Sequence, residues 1–401
     1  MGKNKKTQWD LIVVGAGASG MMSAITAARK GKQVLILEKL DKAGKKLLAT
    51  GNGKCNFTNS VMSADCFHGE KSFITTVLNA FSVEDALDFF HSIGIYPKEK
   101  NGYYYPNSEQ ASSVVNALLN ELQRLDVLIS FETVITDIYS NDQGAYIRTS
   151  TGEYFCRKLI IATGLKAAPK LGSDGSLFSL IKGLGHRFSP ILPALCGFYC
   201  KGLDFKRISG VRAQGTVHAY VDGVLVASDT GEIQFTDYGL SGIPVFQISR
   251  FLSKGLYNKS KVEIGINLLP DFDEVLLSKE LHYRRQLFGN NSAEKLLNGL
   301  INQKLSDVIM RQFSSNLDID KLVHLLQNIK VTVLEYRDYE YAQVCTGGIP
   351  VKDIDVNTLE SKIAPNVHFT GEIIDVDGIC GGYNLHFAWA TGYIAGNAVS
   401  K

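Results

Sequence analysis

A glycine-rich turn near the start of the chain has the residue types and spacing to bind a dinucleotide. Gly15, Gly17 and Gly20 fit the pattern G-x-G-x-x-G, and Glu38 ends the next apolar run. Gly15 would allow a tight turn, Gly17 would let the backbone approach a pyrophosphate, and Gly20 would let the helix pack closely on the strand. Glu38 would accept hydrogen bonds from the adenosine ribose and repel a 2′-phosphate, which disfavours NADP. The alternative is a glycine turn of another kind of α/β protein.

A second candidate for anion binding is the lysine-rich loop over residues 45–56. Lys45, Lys46 and Lys54 would neutralise phosphate charge, and backbone N–H groups of residues 51–55 could reach a ring system. Without the neighbouring motifs, a solvated basic loop is an equally good interpretation.

Two further apolar runs end in glycine and polar residues. Residues 159–164 read as a strand ending in Ala-Thr-Gly, and residues 367–372 as a strand ending in Gly-Glu. Glu372 or Asp375 could bind a polyol chain. The glycine pair at 381–382 precedes a helix predicted over 386–399, and such a turn can hold an anion or a carbonyl.

The elements that would position these residues alternate between strand and helix. Apolar runs at 10–14 and 33–38 flank a helical pattern over 17–30, which predicts a β-α-β unit with parallel strands. Helices are also predicted over 82–93, with Ser82 and Asp85 as its cap, and over 109–125.

The middle of the chain has a different pattern. Alternating segments broken by Asp222-Gly223 and Thr230-Gly231 predict an antiparallel sheet or small barrel between about 188 and 262. Helical periodicity follows over 271–327, and strands with glycine turns return after residue 330. We therefore expect one nucleotide-binding domain interrupted by an insert.

Composition excludes several classes. The 401 residues suggest two or three domains, and 42 basic against 40 acidic side chains leave +2, which argues against a generic polyanion binder. The apolar runs are too short to span a bilayer, and the basic, polar N-terminal segment lacks the apolar core of a signal peptide. The seven cysteines are odd in number and scattered, which favours reduced thiols. We expect a cytoplasmic protein without membrane partners.

The motifs together resemble a known family. Residues 44–56 read GKKLLATGNGKCN, residues 235–244 read FTDYGLSGIP, and GEIIDVDG at 371–378 is followed by GGYNL at 381–385. These segments resemble the aminoacetone-oxidase-like FAD flavoproteins, also labelled NAD(FAD)-utilising dehydrogenases, which have the glutathione-reductase-type FAD fold. The resemblance runs nearly end to end.

The resemblance implies an α/β fold, in which a Rossmann-like FAD-binding domain is interrupted by an inserted antiparallel β-barrel domain with a small helical subdomain. The expected boundaries are 1–188 and 343–401 for the discontinuous FAD-binding domain, 189–262 and 329–342 for the barrel, and 263–328 for the helical subdomain. It also implies a set of FAD contacts, which are Gly15, Ala18, Gly20, Glu38, Lys39, Lys46, Asn52, Gly53, Cys55, Asn56, Thr163, Gly164, Gly371, Glu372, Asp375, Tyr383, Asn384 and Leu385.

Candidate catalytic residues are few. Cys55 could act as an acid or nucleophile beside the flavin, and His386 would open the last helix near the flavin ring. A buried thiol and a packed or capping histidine are the more ordinary interpretations. No histidine has metal-binding spacing, so we expect no metal.

The predicted function is an FAD-dependent oxidoreductase that transfers hydride between flavin and a C=C or C–N bond of a small molecule or nucleobase, with NAD(P)H as possible donor. The family is associated with amine oxidation, enone reduction and ribosomal RNA dihydrouridine formation, and the sequence does not choose among them. A flavin-binding redox sensor or RNA-associated scaffold, and an NAD dehydrogenase without flavin, are the alternatives. A disulfide reductase is disfavoured, because a second dinucleotide motif and a C-x4-C pair are missing.

Overall fold

The computed structural model describes residues 7–289, 293–313 and 317–399. The chain divides into two compact units, one formed by Met1–Ile191 with Val344–Lys401 and the other by Leu192–Gln343. Residues 1–6, part of the N-terminal segment used to predict the location, lie outside the described residues. No helix within the described part of the chain is long and apolar enough to cross a bilayer.

The strands are numbered in chain order. They are β1 (Thr7–Val14), β2 (Val34–Leu37), β3 (Thr58–Asn59), β4 (Phe67–His68), β5 (Pro97–Lys100), β6 (Tyr103–Pro106), β7 (Leu128–Ser130), β8 (Ile135–Asn141), β9 (Gly144–Thr149), β10 (Gly152–Ile161), β11 (Ser189–Ala194), β12 (Phe198–Lys201), β13 (Arg212–Val221), β14 (Val224–Phe235), β15 (Gly239–Ser241), β16 (Val262–Asn267), β17 (Ile329–Tyr336), β18 (Val344–Gly348), β19 (Val367–Phe369) and β20 (Asp377–Gly378).

The helices are numbered in the same way. They are α1 (Ala18–Ala28), α2 (Lys45–Ala49), α3 (Lys71–Ala80), α4 (Val83–Ser92), α5 (Ala111–Arg124), α6 (Phe178–Gly183), α7 (Phe205–Ile208), α8 (Ile243–Tyr257), α9 (Glu274–Phe288), α10 (Ala293–Leu296), α11 (Gln303–Met310), α12 (Ile319–Gln327) and α13 (Tyr383–Ala398). Short 3-10 turns add Thr50–Gly53, Ala64–Cys66, Pro169–Leu171, Tyr339–Tyr341, Val351–Asp353 and Gly371–Ile373.

The main sheet of the first unit has the strand order β7-β2-β1-β10-β9-β8, and β19 pairs with β10. The pairs among β7, β2, β1, β10 and β19 are parallel, whereas β8 and β9 continue the sheet antiparallel. Residues 11–14 are at most 3% exposed, as expected for a parallel strand covered on both faces. The predicted β-α-β start is therefore confirmed.

The register of this sheet brings several strand ends to one edge. Val14 pairs with Leu37 on one side and with Ile161 on the other, and Ile161 pairs with Phe369. The residues that follow these strands therefore emerge together, although up to 355 positions separate them in the chain. This edge carries the candidate site described below.

Helix α13 packs closely on α1. A Cβ on Gly392 would lie 2.6 Å from Ser19 O, and one on Gly396 would lie 2.6 Å from Ser23 O. The small residues of α13 thus let the two helix backbones approach each other. This packing holds the C-terminal end of the chain beside the glycine turn that begins α1.

The second unit is mostly antiparallel sheet followed by helices. Its strands pair in the order β12-β15-β14-β13-β16-β17, every pair is antiparallel, and β12 also pairs with β17. The predicted Asp222-Gly223 turn joins β13 to β14, with both residues at positive φ (50° and 80°), as a two-residue hairpin requires. Helices α9–α12 lie in the chain between β16 and β17.

Three predictions of local structure were wrong. Thr230-Gly231 is not a turn, because Thr230 pairs with Thr216 and Gly231 with Gly215 within β14 and β13. Cross-strand pairing along the whole of β13 outweighs the local turn preference. The last helix begins at Tyr383 rather than at His386, and the lysine-rich loop contains the short helix α2.

Candidate functional site

The glycine turn lies where β1 ends and α1 begins. Gly15 has φ +102°, and its N–H donates to Leu37 O at 2.9 Å. A Cβ on Gly20 would lie 2.0 Å from Gly15 O, so only glycine allows this approach of helix to strand. Among the described residues, nothing lies within 4 Å of a Cβ built on Gly17. The N terminus of α1, which starts at Ala18, therefore has room for a ligand and offers the N–H groups that bind phosphates.

Glu38 follows β2 and is 9% exposed. Its Oε2 accepts the N–H of Ala16 at 2.7 Å, and its Oε1 accepts the N–H of Leu40 at 2.8 Å. Each carboxylate oxygen can accept a further hydrogen bond, so the existing bonds leave acceptor capacity for the ribose contact predicted for Glu38. The carboxylate also ties the glycine turn to the end of β2.

The C-terminal segment after β19 meets the first turn of α1. A Cβ on Gly371 would lie 2.6 Å from Ser19 Oγ, and the Gly371 N–H donates to Thr391 Oγ1 at 2.9 Å. The first glycine turn and the C-terminal segment, predicted to share one cofactor, are therefore side by side.

Glu372 is the centre of a cluster from four chain segments. Lys46 Nζ lies 2.7 Å from its Oε2, and the Cys345 N–H donates to its Oε1 at 2.9 Å. A Cβ on Gly164 would lie 3.2 Å from Glu372 Oε2 and 2.7 Å from Ser173 Oγ. Lys46, Gly164 and Glu372 were predicted contacts, and the structure brings them together.

The segment after α2 has an unusual backbone. Gly51, Asn52, Gly53 and Cys55 all have positive φ, between 55° and 82°. Asn52 and Gly53 are exposed, whereas Cys55 and Asn56 are buried. The N–H groups of Lys54 and Cys55 donate to Gly51 O and Thr50 O, at 3.1 and 3.0 Å, so two of the N–H groups predicted to reach a ring system are engaged within the segment.

The turn before α13 packs against aromatic rings. A Cβ on Gly381 would lie 2.9 Å from the ring of Tyr383 and 3.1 Å from that of Tyr103. A Cβ on Gly382 would lie 2.8 Å from Asn56 Oδ1. The loop at Asn56 and the turn at Tyr383 are thus in direct contact.

Asn384 has a structural task in this turn. Its Oδ1 accepts the N–H of Gly378 and its Nδ2 donates to Gly378 O, both at 2.8 Å. The amide group predicted to contact FAD is thereby engaged with the backbone. Asp375 is half-buried, and its N–H donates to Ile349 O at 2.9 Å.

The predicted contacts differ in exposure. The buried ones are Gly20, Glu38, Cys55, Asn56, Gly371 and Tyr383; the half-buried ones are Gly15, Ala18, Lys46, Thr163, Gly164, Glu372, Asp375, Asn384 and Leu385; the exposed ones are Lys39, Asn52 and Gly53.

The lysines of the basic loop carry compensated charges. Lys45 pairs with Asp41 at 2.5 Å, Lys46 with Glu372, and Lys54 with Glu109 at 2.8 Å. Lys54, together with Lys98, holds the pKa of Glu109 down to about 2. Lys39 likewise pairs with Asp174. Each lysine expected to neutralise phosphate charge is thus paired with a carboxylate, which is near in the chain for Lys45 and distant for Lys46 and Lys54. Phosphate neutralisation by these lysines stays a prediction.

The structure gives no support to Cys55 as a catalytic residue. Its side chain is fully buried, and burial raises the pKa of the thiol to about 12. The thiol therefore stays protonated at neutral pH, whereas a nucleophile requires the thiolate.

His386 is equally unsuited to proton transfer. Its Nδ1 lies 2.9 Å from Thr58 Oγ1 and its Nε2 lies 3.1 Å from Phe81 O. Because a carbonyl only accepts, Nε2 carries the proton and Nδ1 accepts from the Thr58 hydroxyl. Burial lowers the pKa of His386 to about 4. The neutral ring has both nitrogens engaged, so the packed interpretation holds.

Three buried polar atoms near the predicted contacts have no hydrogen-bond partner among the described residues. They are Asn56 Oδ1, Ser173 Oγ and Thr370 Oγ1. Buried polar groups are almost always hydrogen-bonded, so such atoms mark places where a ligand or water binds. With the open space beside Gly17, they fit a bound FAD. Sequence reasoning missed Ser173 and Thr370; the position of Thr370 directly before Gly371 was a usable signal, and nothing singled out Ser173.

The described residues offer no cluster of side chains suited to a metal ion. Within the described ranges, no group of three or more His, Cys, Asp or Glu side chains is placed to hold a metal ion. The features that fit a nucleotide are the N–H groups at the start of α1, the Glu38 carboxylate and the unpartnered polar atoms.

Comparison with protein families settles the relationship. Residues 9–398 match the profile described as the HI0933-like protein Rossmann domain. The chain belongs to this HI0933-like family. The prediction of an FAD-dependent oxidoreductase with a Rossmann-like nucleotide-binding fold is confirmed. The narrower aminoacetone-oxidase-like label stays a prediction.

Individual relatives of this HI0933-like protein are similar along their whole length. It is 40% identical to a 3-dehydro-bile acid delta(4,6)-reductase of Clostridium scindens, over 97% of this chain and 98% of the relative. It is 28% identical to the ribosomal RNA dihydrouridine synthase of Escherichia coli, over 96% of both. The 3-ketosteroid-delta4-(5alpha)-dehydrogenase of Rhodococcus jostii RHA1 has a similar fold, with TM-score 0.53 at 15% identity, over 100% of this chain and 98% of that structure.

Glu38→Ala is expected to weaken FAD binding by roughly 1–3 kcal/mol, the value of lost charge-assisted hydrogen bonds. The substitution removes the acceptor predicted to bind the ribose and leaves the N–H groups of Ala16 and Leu40 without their acceptor. Quenching of FAD fluorescence by the apoprotein measures the affinity. Glu153→Ala removes an exposed carboxylate of the same unit and is expected to change nothing. Equal affinities of the two variants would refute the role of Glu38.

Proposed function

We propose that the protein reduces a C=C bond conjugated to a ketone in a small molecule of the bile-acid type, with bound FAD and NAD(P)H as electron donor. The observation that carries this proposal is the 40% identity to the 3-dehydro-bile acid reductase over nearly the full length of both chains. Bound FAD would supply hydride-transfer chemistry, with a nicotinamide as the hydride source, one substrate carbon as the hydride acceptor and a proton completing the reduction at the other carbon. The protein contributes binding, orientation and electrostatics.

The roles of individual residues follow from the geometry. The Gly15–Gly20 turn and Glu38 would hold the adenosine diphosphate half, because they combine helix N–H donors with a carboxylate. Asn56, Ser173 and Thr370 would hydrogen-bond the remainder through their unpartnered oxygens. The paired Lys46 and Glu372 are positioning residues, since each fixes the other within the cluster.

Domain organisation and location belong to the same proposal. We assign FAD binding to residues 1–188 and 343–401, an inserted barrel to 189–262 and 329–342, and a helical subdomain to 263–328. The cyclic strand pairing of β12–β17 and the position of α9–α12 in the chain support this division. A cytoplasmic location is supported by the seven scattered cysteines, since none of them forms a disulfide.

Anaerobic rapid mixing of the FAD-loaded protein with NADH or NADPH, followed by a 3-oxo-Δ4 bile acid, tests the function. We expect the flavin absorbance to bleach with a donor and to return when the substrate is added, with a product that has gained two hydrogens. Bleaching without recovery on the bile acid would contradict the substrate. Failure of both donors would favour FAD as a structural group in a sensor or scaffold.

Ribosomal RNA dihydrouridine formation is the second candidate, because the 28% identity to the Escherichia coli synthase also spans 96% of both chains. The reaction is chemically parallel, since it reduces the C=C bond of a uracil ring. The net charge of +2 offers little general attraction to RNA. Mass spectrometry of ribosomal RNA from a deletion strain distinguishes the candidates: loss of a dihydrouridine supports the RNA substrate, and unchanged RNA supports the small molecule.

A further inference from the structure

The 235–244 motif lies in the second unit, whereas the candidate FAD site described above is built from residues of the first. Its Tyr238 ring centroid is 4.4 Å from Arg337 Cζ, and the Tyr341 ring centroid is 3.5 Å from the same atom. The Tyr199 and Tyr238 ring centroids are 5.2 Å apart. We call Arg337, Tyr199, Tyr238 and Tyr341 the Arg337 cluster.

The backbone around the cluster is closely fitted. The Arg337 N–H donates to Gly197 O at 2.9 Å. A Cβ on Gly197 would lie 3.3 Å from the Tyr238 hydroxyl and 2.9 Å from Leu240 O. Glycine at this position therefore lets the tyrosine lie over the chain that anchors the arginine. Tyr199 lies in β12, which pairs with β15, and Tyr238 directly precedes β15. Arg337 directly follows β17, so paired strands flank these three residues of the cluster.

Arg337 has a charge without a carboxylate partner. Glu335, Asp338 and Glu340 flank it in the sequence, yet no carboxylate of the described residues forms an ion pair with it. Its Nε is buried and has no hydrogen-bond partner in the described part of the chain. A partly buried cation with an unpaired N–H donor lowers the stability of the folded protein unless a ligand accepts that hydrogen bond.

We propose that the Arg337 cluster binds a small organic carboxylate that has an apolar body. A guanidinium binds a carboxylate through two parallel N–H donors, which a point-charge ammonium cannot do. The Tyr199 and Tyr341 side chains are 39% and 54% exposed and supply apolar ring faces beside the cation. The cluster has a single cation, which suits a carboxylate of charge −1 better than a phosphate. This inference does not depend on the proposed redox reaction.

Calorimetric titration of the FAD-loaded full chain with sodium cholate tests the proposal, since cholate joins a carboxylate to a rigid apolar ring system. Titrations stay below the concentration at which cholate forms micelles. We expect saturable binding to the wild type and at least tenfold weaker binding of the uncharged methyl ester. Arg337→Lys, which keeps the charge but loses the planar fork, is expected to weaken cholate binding at least tenfold. Arg207→Lys is the matched control, because Arg207 is an exposed arginine of the same unit that already pairs with Asp204.

Three outcomes would overturn the proposal: no saturable cholate binding, equal binding of cholate and its methyl ester, or equal affinity of the wild type and Arg337→Lys. Displacement of cholate by equimolar inorganic phosphate would also contradict a carboxylate site. Cholate bound away from the Arg337 cluster would be insensitive to Arg337→Lys. If that variant does not fold, as judged by circular dichroism, Tyr341→Ala decides, because unchanged cholate affinity in that variant would place the binding elsewhere. Tyr341→Ala tests the apolar part and is expected to weaken cholate binding while leaving the cation in place.

Discussion

Gly20→Ala is expected to abolish FAD binding and to lower the free energy of unfolding by about 3 kcal/mol or more, at the upper end of overpacking effects. The added Cβ would lie 2.0 Å from Gly15 O and 3.3 Å from Ala162 Cβ. The nearest atom is backbone, so it cannot rotate away as a flexible side chain would. Relief requires α1 to move off β1, which displaces the N–H groups at the start of the helix. Urea unfolding and FAD fluorescence titration measure the two effects.

Gly17→Ala is the matched control in the same turn. Nothing in the described residues lies within 4 Å of its Cβ position, and the backbone at φ −86° is accessible to alanine. We expect the unfolding free energy of the apoprotein to change by less than about 1 kcal/mol. FAD affinity is expected to fall, because the methyl group enters the space left for the pyrophosphate. Wild-type stability of Gly20→Ala, or unchanged FAD affinity of Gly17→Ala, would contradict this account of the turn.

Local patterns in the sequence predicted the parts of the fold that depend on near neighbours. Ser82 and Asp85 form the reciprocal capping box that their spacing indicates, and Asp222-Gly223 forms the hairpin turn. Thr230-Gly231 has a similar composition but lies inside β14, because the partner strand β13 pairs with it along its length. Turn-forming residues therefore form a turn only where no neighbouring strand pairs with the same segment.

The candidate site likewise combines features that local sequence patterns predict with contacts between residues distant in the chain. The glycine spacing and Glu38 are local signals, and the structure places them at one sheet edge. The pairing of Lys46 with Glu372 joins residues that are far apart in the chain, so the basic loop looked like a free cationic surface in the sequence. Ser173 is a candidate only because the folded chain places its hydroxyl 2.7 Å from the Cβ position of Gly164. Such contacts exist only after the chain has folded.

Burial argues against both catalytic candidates. Cys55 and His386 were selected for their chemistry and their place in the motifs, but each is 0% exposed. Desolvation moves both groups to their neutral forms, so they have no charge to offer near neutral pH. The proposed reduction therefore needs another proton donor, and the half-buried phenol of Tyr103, which packs on Gly381, is a candidate.

Acidification from pH 7.5 to 5 is expected to destabilise the FAD-loaded protein through His386. An unfolded histidine titrates near pH 6.5, whereas burial lowers the pKa of His386 in the folded protein to about 4. Between these values the unfolded chain binds the proton and the folded chain does not, so stability falls as the pH falls from about 6.5 to 4. A pKa shift of this size lowers the free energy of unfolding by about 3 kcal/mol as the pH falls from 6.5 to 4. Below pH 4 both states are protonated, so His386 causes no further loss.

Urea unfolding of the FAD-loaded protein at pH 7.5, 6 and 5 measures this contribution, with His386→Phe as the variant. The substitution leaves Thr58 Oγ1 and Phe81 O without their ring partner, so we expect lower stability at pH 7.5 but a shallower loss on acidification. His91→Phe, at an exposed position, is expected to keep the wild-type slope. Buried His368, whose pKa burial also lowers to about 4, supplies part of the slope that remains. A slope in His386→Phe as steep as in the wild type would show that the buried ring does not titrate on unfolding, and that acid instability arises elsewhere.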